Sequence, residues 1–134
     1  MTDFTAMKKI LIIEDHADMR ELLSWQVELM GFAPVVAKLA REGIDKALAE
    51  RPDLIILDIM MPGMDGWQAA REIREKPEMK DVPILAATAL SREADLKACT
   101  EAGCNGYIVK PFTFQELQAK VQELVPGLSP TYPR

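Results

Sequence analysis

The sequence predicts an α/β fold built on a doubly wound, five-stranded parallel sheet with five helices. Apolar runs of strand length alternate five times with amphipathic segments of helix length. The runs at 10–13, 54–57 and 84–87 are continuously apolar, as expected of strands that helices cover on both faces. A repeated strand-then-helix order predicts parallel strands joined by right-handed crossovers.

The predicted elements follow one another through short connections. Strands are predicted at 8–13, 32–37, 54–57, 84–88 and 107–109. Helices are predicted at 17–30, 40–50, 66–76, 92–102 and 114–125. Gly31 and Gly103 follow the first and fourth helices, and glycine commonly occupies the position just after a helix.

Capping signals support three of the helix starts. Thr113 and Glu116 have the spacing of a capping box at the fifth helix. Asp65 precedes the third helix in the same way, and we expect Ser91 to cap the fourth.

The composition indicates one globular domain. The chain has 134 residues, of which 49% are hydrophobic and 28% charged, with a net charge of -5. We expect a domain at 7–125, flanked by a flexible N-terminus at 1–6 and a flexible tail at 126–134. Two cysteines, Cys99 and Cys104, fit no metal-binding spacing and are expected to be small, semi-buried core residues.

Several partners and locations are not expected from this composition. No apolar run approaches the length that spans a bilayer, and the start lacks the pattern of a secretory signal. We therefore expect a cytoplasmic protein that does not bind a membrane. Lysine and arginine are dispersed along a mildly acidic chain, so direct DNA binding is not expected either.

Polar residues follow four of the predicted strands. Glu14 and Asp15 come after the first strand, Asp58 after the third, Thr88 ends the fourth and Lys110 follows the fifth. The carboxyl ends of parallel strands share one edge of a sheet, which is where open α/β sheets bind ligands. Three carboxylates, a hydroxyl and an ammonium group at one edge suit a divalent cation and a phosphoryl group.

The carboxylates indicate a magnesium site. Three of them in a partly desolvated site repel one another, so either some stay protonated or a cation neutralises them. Hard oxygen ligands on loops favour Mg²⁺. Asp15 and Asp58 are the best direct ligands, with the carbonyl of Met60 in reach and Glu14 acting through water. The alternative is that Glu14 and Asp15 form a solvated turn capping the first helix.

These motifs together resemble the response-regulator receiver domain of two-component signalling. The resemblance covers about residues 7–125 and is carried by Glu14-Asp15, Asp58 with Met61-Pro62-Gly63-Met64-Asp65-Gly66, Thr88-Ala89 and Lys110-Pro111-Phe112. It implies a flavodoxin-like sheet of strand order 2-1-3-4-5. It also implies that Asp58 accepts a phosphoryl group from a sensor histidine kinase or a phosphotransfer protein.

The resemblance assigns further roles. Mg²⁺ would be held by Glu14, Asp15, Asp58 and the Met60 carbonyl, while Thr88 and Lys110 would contact the phosphoryl oxygens. Such a domain is not an enzyme with a separate substrate: it catalyses its own phosphorylation and a slow autodephosphorylation. Slow decay is expected because the two side chains beside the path of the attacking water, Met60 and Leu90, are apolar.

The resemblance also implies a switch that reaches a downstream protein. Thr88 and Tyr107 would move together on phosphorylation and remodel the face of the fourth helix, fifth strand and fifth helix, including Ala94, Lys97, Tyr107 and Gln118. The first helix is a candidate kinase-docking surface, with Met19, Leu22, Leu23, Gln26 and Val27 available. His16, the chain's one histidine, is expected to be a solvated residue at a helix start.

Other interpretations remain open. The expected protein is a stand-alone receiver, but the chain also fits a receiver of a hybrid histidine kinase or of a longer regulator. A module that binds without phosphorylation would keep the fold and not use Asp58. A phosphatase with an aspartate nucleophile would need a second Asp two residues later, where this chain has Met60. A flavin or dinucleotide binder is disfavoured because no glycine-rich loop follows the first strand.

Overall fold

A computed structural model describes residues 7–125, so the expected flexible segments at 1–6 and 126–134 lie outside the described residues. Strands and helices alternate along the chain. The strands are β1 Lys9–Ile13, β2 Ala33–Ala37, β3 Leu54–Asp58, β4 Ile84–Thr88 and β5 Gly106–Val109. The helices are α1 Ala17–Leu29, α2 Ala40–Glu50, α3 Gly66–Glu75, α4 Glu93–Ala102 and α5 Phe114–Leu124, with a short 3-10 turn at Pro77–Met79. Each end lies within one residue of its prediction.

The five strands form one parallel sheet in the order β2-β1-β3-β4-β5, which confirms the expected topology. In the register, Ile13 pairs with both Ala37 and Leu57. Asp58 pairs with Ala87, one residue before Thr88. The strands therefore end nearly level, so the residues that follow them share one edge of the sheet.

Helices cover both faces of the sheet, as the continuous apolar runs predict. Ile10 and Ile12 lie in a buried cluster with side chains of α1 and α5. Leu11 and Ile13 point the other way, into a cluster with side chains of α2, α3 and α4. β3 and β4 are buried along their whole length, which explains why their sequences do not alternate between apolar and polar residues.

The helix ends confirm most of the capping predictions. Thr113 and Glu116 form a complete capping box, and Asp65 Oδ1 accepts a 2.8 Å hydrogen bond from the Gln68 backbone N–H. The prediction for Ser91 is wrong: α4 begins one residue later than expected, and its N-cap is Arg92, which makes no side-chain capping bond. Acidic residues in the first turn of α4 favour this start through the helix dipole.

Three further features complete the fold. Gly31 and Gly103 both have positive φ angles after a helix, as expected of stop residues. Cys99 and Cys104 are free and buried, deeper than the semi-buried placement expected. Among residues 7–125, no helix reaches the length and apolarity that crossing a bilayer requires.

Close packing at Gly66 holds the start of α3 against the strand that ends in Asp58. The Gly66 backbone N–H donates a 2.8 Å hydrogen bond to the Ile59 carbonyl. A Cβ atom at position 66 would lie 2.5 Å from Ile59 Cα and 2.6 Å from the Asp58 carbonyl oxygen. Because both neighbours are backbone atoms, a side chain fits here only if β3 or α3 moves.

Gly66→Ala should therefore lower the free energy of unfolding by about 1–3 kcal/mol, the usual cost of overpacking. The exposed residue Gln68, two positions along α3, supplies the control. Gln68→Ala should change the free energy of unfolding by less than about 0.5 kcal/mol. Urea denaturation measures the stability of both variants. If Gly66→Ala is as stable as Gln68→Ala, α3 is not closely packed on β3 at position 66.

Candidate functional site

Carboxylates from two neighbouring strands meet at the edge of the sheet. Ligand atoms of Glu14, Asp15, His16 and Asp58 all lie within 4.8 Å of one another. Glu14 follows β1 and Asp58 ends β3, and these strands pair directly. Glu14 and Asp58 are only 1% and 3% exposed. The alternative of a solvated turn is therefore wrong for Glu14, whose carboxylate is buried in the cluster.

Lys110 brings one positive charge to this cluster from β5. Its Nζ lies 2.8 Å from Glu14 Oε1 and 3.4 Å from Asp58 Oδ1. The ammonium group therefore contacts both carboxylates, and its contact with Glu14 is the shorter one. A lysine is long enough to reach from β5 toward β1, which lies beyond β3 and β4 in the sheet. Two buried carboxylates thus share one ammonium group.

Neighbouring hydrogen bonds orient the rest of the site. Asp58 Oδ1 also accepts a 3.2 Å hydrogen bond from the Met60 backbone N–H. Thr88, at the end of β4, is 1% exposed, and its Oγ1 accepts a 2.9 Å hydrogen bond from the Leu90 backbone N–H. The Thr88 hydroxyl therefore lies one strand away from Asp58, with its oxygen already engaged by the following loop.

Burial and the carboxylate pair shift the ionisation of this cluster. Burial raises the pKa of Asp58 to about 7, and the neighbouring carboxylate of Glu14 adds to the rise. Burial also acts to raise the pKa of Glu14, but the hydrogen bonds from Lys110 and His16 outweigh it and lower that pKa. Burial acts to lower the pKa of Lys110, whose carboxylate partners nevertheless raise it. Of the two buried carboxyl groups, Asp58 is therefore the one whose pKa is raised.

Two carboxylate oxygens of the cluster are left without partners. Asp15 Oδ1 and Asp58 Oδ2 are buried and accept no hydrogen bond from any residue in 7–125. Both oxygens of Glu14 are engaged, one by Lys110 and the other by the His16 backbone N–H. Unpartnered buried carboxylate oxygens are costly unless a cation or a proton neutralises them. The residues present therefore fit a divalent cation, for which Mg²⁺ is the hard-oxygen choice.

His16 belongs to this cluster, which the sequence did not predict. Its side chain is 74% exposed, in agreement with a solvated helix start, yet its Nδ1 lies 3.4 Å from both Glu14 Oε2 and Asp15 Oδ1. It is the N-cap residue of α1 but makes no side-chain capping bond. The sequence signal that could have placed His16 in the cluster is its position directly after Glu14 and Asp15 in the same loop.

The predicted switch residues lie on adjacent strands. Tyr107 of β5 is 37% exposed, and its ring centroid lies 5.7 Å from Lys120 Nζ on α5. Thr88 is buried on β4. Of the other residues predicted for this face, Ala94 and Lys97 are exposed and Gln118 is half-buried. The face is therefore accessible beside Tyr107.

Of the five residues available on the first helix for a docking surface, only Leu22 is exposed. Leu23, Gln26 and Val27 are buried against the sheet and cannot form a docking surface. Met19 is half-buried and packs on the core. The exposed apolar side chains of α1 are instead Leu22, Trp25 and Leu29, which are 42%, 60% and 45% exposed.

Comparison with known proteins shows the class of domain that this site defines. The family model described as "Response regulator receiver domain" matches residues 10–122. The chain belongs to this family. Receiver domains are signalling modules and not metabolic enzymes, and they interact with histidine kinases or phosphotransfer proteins.

Individual relatives are similar over most of this chain. The transcriptional regulatory protein ResD of Bacillus subtilis is 42% identical over 129 residues, which are 96% of this chain and 52% of ResD. Chemotaxis protein CheY4 of Vibrio cholerae has a TM-score of 0.85 and 30% identity, covering 89% of this chain and 99% of the other. This chain spans about half the length of the curated relatives it matches.

One structural neighbour bears on the cation. The receiver domain of a sensor histidine kinase from Pseudomonas aeruginosa PAO1 is described with a magnesium ion coordinated in its active-site cleft. It has a TM-score of 0.83 and 32% identity, covering 90% of this chain and 98% of the other.

The raised pKa of Asp58 predicts a pH-dependent stability in EDTA. A carboxyl group whose pKa rises from 3.8 to about 7 on folding makes the folded state less stable as the pH increases through this interval. Asp58→Asn should remove the effect and raise the free energy of unfolding at pH 8 by roughly 2–4 kcal/mol, with a smaller gain near pH 4.

Urea denaturation of both proteins at pH 4 to 8 measures this difference. Millimolar MgCl₂ should stabilise the wild type alone and so reduce the difference in unfolding free energy between the two proteins at pH 8. If the difference in unfolding free energy does not depend on pH, the pKa of Asp58 is the same in the folded and unfolded protein, which contradicts the prediction.

Proposed function

We propose that Asp58 accepts a phosphoryl group from a phosphohistidine of a sensor histidine kinase or a phosphotransfer protein. The observation that supports this most is the Asp58 carboxylate itself. Its Oδ1 is held by Lys110 and the Met60 N–H, while its Oδ2 is buried without a partner. One oxygen is thus fixed and the other keeps its lone pairs for a nucleophilic attack.

The reaction is a direct phosphoryl transfer. Asp58 Oδ2 attacks the phosphorus atom, the N–P bond of the donor breaks, and the donor imidazole leaves with the electron pair of that bond and takes a proton from solvent. The product is an acyl phosphate on Asp58. Charge on the transferred oxygens is the main obstacle, and Lys110 Nζ, already 3.4 Å from Asp58 Oδ1, is placed to neutralise part of it. Hydrolysis of the acyl phosphate returns Asp58 and inorganic phosphate.

Asp15 and Asp58 would hold Mg²⁺ directly, together with the Met60 carbonyl, and Glu14 would act through water. When bound, the ion supplies positive charge to the phosphoryl oxygens. The unpartnered Oδ1 of Asp15 supports this assignment, as does the engagement of both Glu14 oxygens by other donors.

The signal would leave the site through Thr88. Its Oγ1 now accepts a hydrogen bond from the Leu90 N–H. On phosphorylation the hydroxyl would turn to donate to the phosphoryl group, and Tyr107 would move inward from its exposed position on β5. The groove beside Tyr107, lined by residues of α4 that include Leu96 and Lys97, would change shape and bind a downstream protein.

The kinase or phosphotransfer protein would dock on the exposed apolar stripe of α1, formed by Leu22, Trp25 and Leu29. The same receiver chemistry would serve a single-domain regulator and a receiver within a longer protein, and this chain matches 52% of the length of ResD. In either arrangement the phosphorylated face transmits the signal by contact with protein.

Incubation with acetyl phosphate and MgCl₂ tests the proposal. Intact-protein mass spectrometry should show the gain of one phosphoryl group in the wild type and none in Asp58→Asn. Lys110→Ala should slow the gain by about a hundredfold, because it removes a preorganised charge at the transferred group. Lys97→Ala, on the exposed surface of α4, is the control and should not change the rate.

A wild-type protein that gains no phosphoryl group, although it binds Mg²⁺, would favour a module that binds its partner without phosphorylation. A phosphoryl group that persists in Asp58→Asn would place the acceptor elsewhere.

The lifetime of the acyl phosphate should be long. Met60 is 55% exposed and Leu90 half-buried, and neither side chain can orient an attacking water. We expect the phosphorylated protein to persist for minutes or longer. Met60→Glu should shorten its half-life by about tenfold or more, because a polar group beside the site can position water. Loss of the phosphoryl group can be followed by phosphate release in Mg²⁺ buffer, and a wild-type half-life of seconds would contradict the expectation.

A further inference from the structure

His16 offers the cation site a ligand of a different chemical kind. The cluster contains three carboxylates and one imidazole, all within 4.8 Å of one another. Asp15 Oδ1, which accepts no hydrogen bond within residues 7–125, is the oxygen that lies 3.4 Å from His16 Nδ1. Two ligands at right angles on one metal ion are roughly 3 Å apart when each bond is about 2.1 Å. The observed separation is therefore close to that of neighbouring ligands.

The backbone of His16 is fixed while its side chain remains free to adjust. Its N–H donates to Glu14 Oε2 at 3.2 Å, and its carbonyl accepts a 2.9 Å hydrogen bond from the Arg20 N–H. The guanidinium of Arg20 donates to the carbonyls of Glu14 and Asp15 at 3.0 and 3.3 Å. This loop thus holds the imidazole beside Asp15, and a small rotation of an exposed ring closes the remaining few tenths of an ångström.

From this geometry we infer that His16 Nδ1 is a direct ligand of the divalent cation, beside Asp15 and Asp58. The inference rests on the proposed cation site and adds its metal preference. Mg²⁺ prefers oxygen ligands, whereas an imidazole nitrogen favours first-row transition metals. The site therefore binds Mn²⁺ more tightly than Mg²⁺, and His16 is the residue that sets the difference.

The test compares Mn²⁺ with Mg²⁺ on the full chain prepared without a polyhistidine tag. Isothermal titration calorimetry at one pH should give the wild type at least a tenfold preference for Mn²⁺. In His16→Ser, which retains a good N-cap residue, Mn²⁺ affinity should fall by about tenfold and Mg²⁺ affinity by a much smaller factor.

The control is Asp18→Asn, an exposed position in the first turn of α1. It changes the nearby charge without removing a ligand, so both affinities should change by the same factor.

A spectroscopic measurement provides a second readout. Electron spin-echo modulation of bound Mn²⁺ should show a directly coordinated imidazole nitrogen in the wild type and none in His16→Ser. The assignment is unambiguous because the chain contains a single histidine.

A Mn²⁺-to-Mg²⁺ ratio that is the same in wild type and His16→Ser, or wild-type Mn²⁺ without a coordinated nitrogen, overturns the inference. A histidine that only pairs with the carboxylates as a cation would compete with metal, so its removal would strengthen the binding of both ions. That outcome also overturns the inference.

The cation site itself is tested separately by Asp15→Asn, which should weaken the binding of both ions. If Asp15→Asn leaves both affinities unchanged, the proposed cation site fails together with the inference. If wild-type protein is phosphorylated in Mg²⁺ and Asp15→Asn weakens binding, but His16→Ser keeps the wild-type ratio, only the inference fails.

Discussion

The unequal charge balance of Glu14, Asp58 and Lys110 is the constraint on which the rest of the site depends. Two buried carboxylates face one ammonium group, at 2.8 and 3.4 Å. Lys110 lies nearer to Glu14, whose second oxygen is also hydrogen-bonded. Asp58 is left as the less compensated member, and burial together with the neighbouring Glu14 raises its pKa to about 7. If Lys110 fully compensated the charge of Asp58, this carboxylate would be unreactive. Because the compensation is incomplete, Asp58 can still bind a proton, a cation or a phosphoryl group.

The fold maintains this imbalance because the strands beneath the site are buried and paired with their neighbours. β3 is buried throughout and lies between β1 and β4, so Asp58 cannot withdraw into solvent. At Gly66 the start of α3 packs closely against the backbone of Asp58 and Ile59, which limits movement of the end of β3. The strand pairing that forms the core therefore also fixes the distances between charged groups at the sheet edge.

Most of the fold and the principal site residues could be predicted from the sequence, because both depend on local patterns. Continuous apolar runs set the strands, and the topology then brings Asp58, Thr88 and Lys110 to one edge. The preference of Lys110 for Glu14 could not be predicted, because it depends on the path of a flexible side chain across three strands. The proximity of His16 to Asp15 depends on the loop conformation that Arg20 fixes.

The sequence alone could not show which residues of α1 are exposed, for a different reason. The helix carries apolar residues on two faces, with Leu23 and Val27 on one and Leu22, Trp25 and Leu29 on the other. Spacings of three and four residues connect the members of each set, so periodicity alone does not decide which set faces the sheet. Only the packing against β1 and α5 separates them. An exposed tryptophan is then the informative observation, because a buried one would need no explanation.

The free energy available to the proposed switch can be estimated from the hydrogen bonds of Thr88. Turning Thr88 toward a phosphoryl group gives up its bond from the Leu90 N–H, worth about 1 kcal/mol, for a charge-assisted bond worth roughly 1.5–3 kcal/mol. The net gain of roughly 0.5–2 kcal/mol shifts a two-state equilibrium by a factor of about 2–30. A change from 1:99 to 99:1 needs about 5.5 kcal/mol. The remainder must come from preferential binding of a downstream protein to the remodelled face, so phosphorylation and target binding act together to complete the switch.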